Sequence, residues 1–164
     1  DSVASRGLGD VYKRQLMRYP SWDAIKQQNA TVFYGARKGL RVVYDEDRDE
    51  QVSCVCKYNA ANMDQILKDQ PFDVRISVSI ENPATYDVDK DTFTMERKRR
   101  RTSFIRKGLS IDMSIVENGG DKDSENPLCY QVELEIIDPP STLDANKLTN
   151  HYQKIFDVLK LLSV

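Results

Sequence analysis

The chain has one histidine, His151, three cysteines and one tryptophan in 164 residues. No apolar run reaches the roughly 20 residues that a membrane-spanning helix needs. These scarcities exclude whole chemistries. A lone histidine in a C-terminal helical stretch leaves no partner set for a Ser–His or Cys–His nucleophile. No serine sits in a nucleophile elbow, and no glycine-rich phosphate loop of the P-loop type is present. Cys54, Cys56 and Cys129 are too few and too unevenly placed for a disulfide framework. Cys54 and Cys56 are one residue apart, which suits neither a bridge nor a zinc knuckle, so all three read as reduced thiols in a reducing compartment. The charge balance, 24 basic against 26 acidic residues with a net of −2, excludes a general cationic surface for nucleic acid. A basic run at Arg97–Arg101 is then a local feature on a mildly acidic body.

The first fifteen residues stand apart. Ser5–Gln15 reads as the in-frame translation of a sequencing-library adapter, so 1–15 is expected to be a non-native segment outside the fold. The domain is then expected to run over 16–164 as a fragment whose upstream part is lost. Trp22–Lys26 predicts a short helix entered from Pro20-Ser21. Thr31–Tyr34, Leu40–Asp45 and Gln51–Tyr58 predict a strand meander punctuated by Gly35, Gly39 and the acidic Asp45–Glu50 stretch. Asn59–Lys68 predicts a second short helix. Strands follow at Asp73–Glu81, Phe93–Ile105, Leu109–Val116 and Leu128–Ile137, with polar loops at Asn82–Asp91 and Glu117–Pro127. Asp138-Pro139-Pro140 stops the last strand, and Ser141 or Thr142 caps a helix through Leu143–Leu162.

Charge is sorted strand by strand. Side chains on a strand alternate between faces. Arg97, Arg99 and Arg101 therefore share a face, with Lys98 and Arg100 opposite. Asp112 and Ser114 share a face of the next strand, and Gln131, Glu133 and Glu135 share one of the last. In Asp73–Glu81, Val74, Ile76, Val78 and Ile80 oppose Arg75, Ser77, Ser79 and Glu81. A sheet with one wet face accommodates this pattern, and so does a closed barrel with its polar face inward. A solvated face usually mixes signs across strands, and here the signs are segregated. Guanidinium forks match phosphate oxygens, and carboxylates two apart on a strand can converge on a hard cation. Taken alone, the arginine run also fits a nuclear localisation patch or a solvated strand end, and Glu133-x-Glu135 also fits a solvated face.

Four motifs occur in order: Asp73-Val74-Arg75-Ile76-Ser77, Arg99-Arg100-Arg101-Thr102-Ser103-Phe104, Ile111-Asp112-Met113-Ser114 and Val132-Glu133-Leu134-Glu135-Ile136. With Trp22-Asp23-Ala24-Ile25 ahead of them and a helix behind, the chain resembles the metal-dependent RNA 5′-triphosphatases of fungal and protozoan mRNA capping, in the triphosphate tunnel metalloenzyme superfamily. The resemblance implies a mainly β fold with flanking α: an antiparallel triphosphate-tunnel β-barrel, incomplete at its N-terminus, with the C-terminal helix outside. It implies that Arg75, Arg97, Arg99 and Arg101 contact the triphosphate and that Asp112 and Ser114 support them. It further implies that Glu133 and Glu135 bind Mg²⁺ or Mn²⁺. The implied activity is removal of the γ-phosphate from 5′-triphosphate RNA in the nucleus, with a guanylyltransferase subunit or domain as a further partner and no membrane. Inorganic tripolyphosphate or nucleoside triphosphate is the alternative substrate within the superfamily, and a non-catalytic anion- or RNA-binding β-domain is the alternative outside it. Three departures stand out. Gln131 takes the place of the family's first acid, Arg99 the place of a lysine, and no acidic pair precedes Trp22. That pair is expected on a lost upstream strand, so the fragment alone is expected to be inactive.

Overall fold

The computed structural model describes residues 11–66, 74–87, 89–118, 128–137 and 145–162. Among these residues seven strands join in one mostly antiparallel sheet. They are β1 (Ala24–Gly35), β2 (Leu40–Asp45), β3 (Glu50–Gln65), β4 (Val74–Pro83), β5 (Phe93–Arg106), β6 (Leu109–Asn118) and β7 (Leu128–Ile136). Their order across the sheet is β4-β3-β2-β1-β5-β6-β7. Two helices flank the strands in sequence: α1 over residues 11–18 and α2 over Ala145–Leu162. The chain divides into two compact units. One comprises Gln28–Arg100 and Val116–Cys129, the other Asp1–Gln27, Arg101–Ile115 and Tyr130–Val164.

The first unit contains the meander, in which β1–β2, β2–β3 and β3–β4 all pair antiparallel. Direct cross-strand partners share a face. Tyr34–Arg41, Val32–Val43 and Ala30–Asp45 therefore lie on one side of β1 and β2. Ala30, Val32 and Val43 are buried there, with Tyr34 packed against them. The same side continues through Lys57–Glu81 and, past a bulge between Asn59 and Ala61, through Asp64–Arg75. The opposite side carries Tyr58–Ile80, Ala61–Val78 and Met63–Ile76. One glycine is obligatory in the meander. Gly39 has φ 79°, and a Cβ there would lie 2.5 Å from the Lys57 carbonyl oxygen. The approach is tight because the Lys57 N–H donates to the Gly39 carbonyl at 2.8 Å.

The second unit gathers its core on the apolar side of β5 and β6. Phe104, fully buried, meets Ile111 and Val158, with Leu16, Trp22, Met113 and Leu134 packed around them. Phe104 alternates with Arg101 along β5, and Ile111 with Asp112 along β6. Burying the apolar set against α2 thus turns the polar set to the other face. The β5–β6 hairpin turns on Lys107 (φ 48°) and Gly108 (φ 75°), the two left-handed residues that a tight hairpin of this twist uses.

Three sequence expectations need comment. Trp22–Lys26 is not helical. Asp23 N–H donates to the Ile105 carbonyl at 2.9 Å, its carboxylate accepts from the Lys107 N–H at 2.7 Å, and β1 begins at Ala24. Pairing against β5 here outweighs a local helical pattern of barely one turn. Asn59–Gln65 is strand rather than helix, because β3 stays in register with β4 to Gln65. Residues 67 and 68 of that expected helix lie outside the described residues, as do most of the Glu117–Pro127 loop and the Ser141 or Thr142 cap. Residues 11–18, partly in the segment set aside above, form α1. Tyr12, Gln15 and Leu16 sit at helical spacing and line one small pocket with Ile111, Met113, Val132 and Val158. Tyr12 is buried there, as helical spacing of apolar groups over an apolar surface allows.

Candidate active site

Burial alternates along β5. Arg97, Arg99 and Arg101 are half-buried, while Lys98 and Arg100 are exposed. The three arginines of one face meet different surroundings.

In the second unit Arg101 is held at all three nitrogens. Nε donates to Ser114 Oγ at 3.0 Å, and Nη1 donates to Asp112 Oδ2 at 2.7 Å. Nη2 donates to Glu133 Oε2. Asp112 is 2% exposed, and its other oxygen accepts from Ser110 Oγ. A guanidinium carries five N–H groups, so Arg101 keeps two for another acceptor after these three bonds. Its plane is fixed by β6 and β7 together. Glu135 lies on the same face of β7 as Glu133 and is exposed, as is Gln131.

In the first unit Arg99 Nη2 donates to Gln28 Oε1 at 3.2 Å, and Gln28 Nε2 donates to Asp45 Oδ2 at 3.2 Å. Asp45 is buried, and its Oδ1 accepts the backbone N–H groups of Asp47 and Arg48, which closes the β2–β3 turn. The Gln28 bond, and then those two amides and the Arg48 charge, hold the Asp45 carboxyl below the usual range against the opposing effect of burial. Arg97 lies over the Tyr34 ring at 5.4 Å from its centroid, and its Nε is buried with no hydrogen-bond partner. Arg41 lies over the same ring at 5.3 Å. Arg75 is bound to Asp64, Nε to Oδ1 at 2.6 Å and Nη2 to Oδ2 at 3.3 Å. That pair lowers the Asp64 pKa and raises that of Arg75. It is largely exposed, with most of its attraction screened by water.

The structure thus brings Arg101, Asp112, Ser114 and Glu133 together, and it gives Arg75 an acid of its own. Gln28, Tyr34, Arg41, Asp45 and Asp64 were not singled out by sequence. The signal for Arg41 and Asp45 was present in the alternation Arg41-Val42-Val43-Tyr44-Asp45, once the buried Val43 marks the face. Among the described residues no three of His, Cys, Asp or Glu are placed to hold a metal ion. Asp112 spends both oxygens on Ser110 and Arg101, and one Glu133 oxygen is bound to Arg101. Glu133 and Glu135 alone fall well short of the six or so oxygens around a hard cation. The described residues do not complete such a site. The three cysteines form no disulfide, and burial pushes the Cys54 thiol up.

The fold matches the triphosphate tunnel fold of S. pombe Pct1 RNA triphosphatase, with TM-score 0.72 at 18% identity over 97% of this chain and 65% of that one. Pct1 in complex with the Spt5 CTD matches with TM-score 0.76 at 15% identity, over 99% of this chain and 68% of that one. At these identities the likeness is one of fold, and the chain spans about two thirds of the Pct1 length. No curated protein matches the sequence. The chain belongs to the family described as mRNA capping enzyme, beta chain, which matches residues 20–163.

Proposed function

We propose that the chain supplies the arginine wall of an RNA 5′-triphosphatase, the hydrolase that opens mRNA capping. The substrate in this reading is RNA with a 5′-triphosphate end. Water attacks the γ-phosphorus in line, and the bond to the β,γ-bridging oxygen breaks. Diphosphate-ended RNA and phosphate leave. Charge moves onto the bridging oxygen as the bond opens, and fixed guanidiniums stabilise it most where water is excluded. Arg97 and Arg99 take the anion from half-buried positions. Arg101 does so with its two remaining N–H groups, its plane held by Asp112, Ser114 and Glu133. Arg75 adds charge from β4, already shared with Asp64.

The observation that carries the reading is the ordered arginine face of β5 in a chain of the capping family. Mg²⁺ or Mn²⁺ belongs to the reading as the requirement of a whole enzyme, and the described residues do not complete its shell. A nuclear site of action and a guanylyltransferase partner follow from the capping role. The test is phosphate release from triphosphate-ended RNA and from tripolyphosphate, by the 164-residue chain and by the full-length protein. The reading expects release from RNA by the full-length protein, loss of it in Glu133→Ala and Glu135→Ala, and none from the 164-residue chain. Release from tripolyphosphate alone moves the protein to an inorganic triphosphatase. Binding of either anion without release by the full-length protein makes it a non-catalytic anion-binding domain.

A further inference from the structure

Cys54 and Cys56 stand two residues apart on β3, opposite Val42 and Leu40 of β2. Arg41 pairs with Val55 between them, so both cysteines lie on the side of the sheet away from Tyr34 and Arg41. Leu40 and Val42 are buried, both cysteines are half-buried, and neither forms a disulfide. β3 is paired on both sides here. Cys56 is the direct partner of Asn82 on β4, and the Ala84 N–H donates to the Cys54 carbonyl at 3.0 Å. A strand held on both edges stays extended, and residues two apart then keep their Cβ atoms parallel and about 6.5–7 Å apart. A disulfide needs Cβ atoms about 3.5–4.5 Å apart. The two sulfurs therefore cannot join without bending β3, yet they share one face.

That spacing suits an ion held between two sulfurs. A metal–thiolate bond is about 2.3 Å long, so a linear sulfur–metal–sulfur unit spans about 4.6 Å. Each side chain closes the difference by leaning about 1 Å toward the other. Among the described residues no third His, Cys, Asp or Glu joins the pair, which leaves zinc short of its four ligands. Thiolates select soft ions, Cu(I) among them, and a linear pair is enough for such an ion. Burial holds Cys54 in its thiol form, and the nearby charge of Arg37 acts against that.

We propose that Cys54 and Cys56 form a two-coordinate site for a soft monovalent cation of the Cu(I) class. Each thiol gives its proton to solvent as its sulfur bonds the ion, so one Cu(I) displaces two protons and no electron moves. The experiment is anaerobic titration of the reduced 164-residue chain with Cu(I) against a chromophoric Cu(I) chelator. One ion should bind per chain, and Zn(II) should not displace it. Cys54→Ser and Cys56→Ser should each weaken binding by more than about 100-fold, beyond the scale of losing an outer partner of a metal site. Cys129→Ser should leave binding unchanged. Alkylation read by mass spectrometry tests the same site in the parent chain. Bound Cu(I) should protect Cys54 and Cys56 together without changing the rate at Cys129, and this arm carries the test if a serine variant unfolds. A parent chain that binds no Cu(I), binding that survives either serine substitution on β3, displacement by Zn(II), or protection that misses the pair overturns the site.

Discussion

At the scale of single residues, the site consists of arginines whose acceptors differ. Arg101 is held by two carboxylates and a hydroxyl, so removing Asp112 takes away its best-buried partner. Asp112→Ala is expected to cost about 3 kcal/mol, the scale for breaking a buried ion pair from one side. Denaturant melts of the parent and variant measure it, and an unchanged midpoint would show that Glu133 and Ser114 suffice to hold Arg101. Gln28 is the quieter case. It receives Arg99 and grips Asp45 with its two ends, and it is the main cause of the low Asp45 pKa. A carboxyl whose folded pKa is depressed stabilises the fold above its unfolded value and loses that contribution as pH falls through the folded value. Asp45 therefore supports the fold above about pH 4 and ceases to in acid below that. Gln28→Ala should raise the Asp45 pKa toward the ordinary value, so that this contribution shrinks and its loss is complete at higher pH. Carboxyl NMR titration of both proteins reads the shift, and an Asp45 titration that stays in place would assign it to the backbone amides of Asp47 and Arg48.

At the scale of elements, alternation made most strands legible. β2, β4, β5, β6 and β7 lie within a few residues of their expected bounds, because one side of each strand is apolar and the other charged. The two short helices expected at Trp22–Lys26 and Asn59–Lys68 fail for a common reason. Each is a short local pattern, and each lies where a neighbouring strand offers continuous pairing, β5 to Asp23 and β4 to the far half of β3. Register with a distant strand is invisible to a local reading, and so is a bulge such as that at Asn59/Ala61. The motif residues of β5, β6 and β7 were readable as sets, and the resemblance joined Asp112 and Ser114 to the arginines, but the bond from Arg101 to Glu133 was not read. Asp112 reads in sequence as a support for the arginines, and in the structure one of its oxygens accepts from Arg101 and the other from Ser110. Turns carry a separate prediction. Gly39 and Gly108 both have positive φ, but only Gly39 would place a Cβ against backbone, at 2.5 Å, whereas Gly108 would meet nothing nearer than 3.6 Å. Gly108→Ala should cost about 1–2 kcal/mol from backbone strain alone. Gly39→Ala should cost clearly more, since the Lys57 carbonyl must also move. Equal costs in paired thermal melts would remove the steric part of this argument.

At the scale of the molecule, a net charge of −2 conceals a sorted distribution, with cations along β5 and carboxylates on β6 and β7. The proposed triphosphatase reading gives that sorting a purpose, the grip on a chain of phosphates. In that reading the two faces of β5 differ in what they do although their charges are alike. The most direct measurement is phosphate release from triphosphate-ended RNA by the full-length protein and five single alanine variants of Arg97, Lys98, Arg99, Arg100 and Arg101. The account predicts losses of about 100-fold or more at Arg97, Arg99 and Arg101, the scale for removing a fixed donor from developing negative charge, and changes of no more than about threefold at Lys98 and Arg100. Losses of equal size on both faces, or full activity without Arg99, would contradict it.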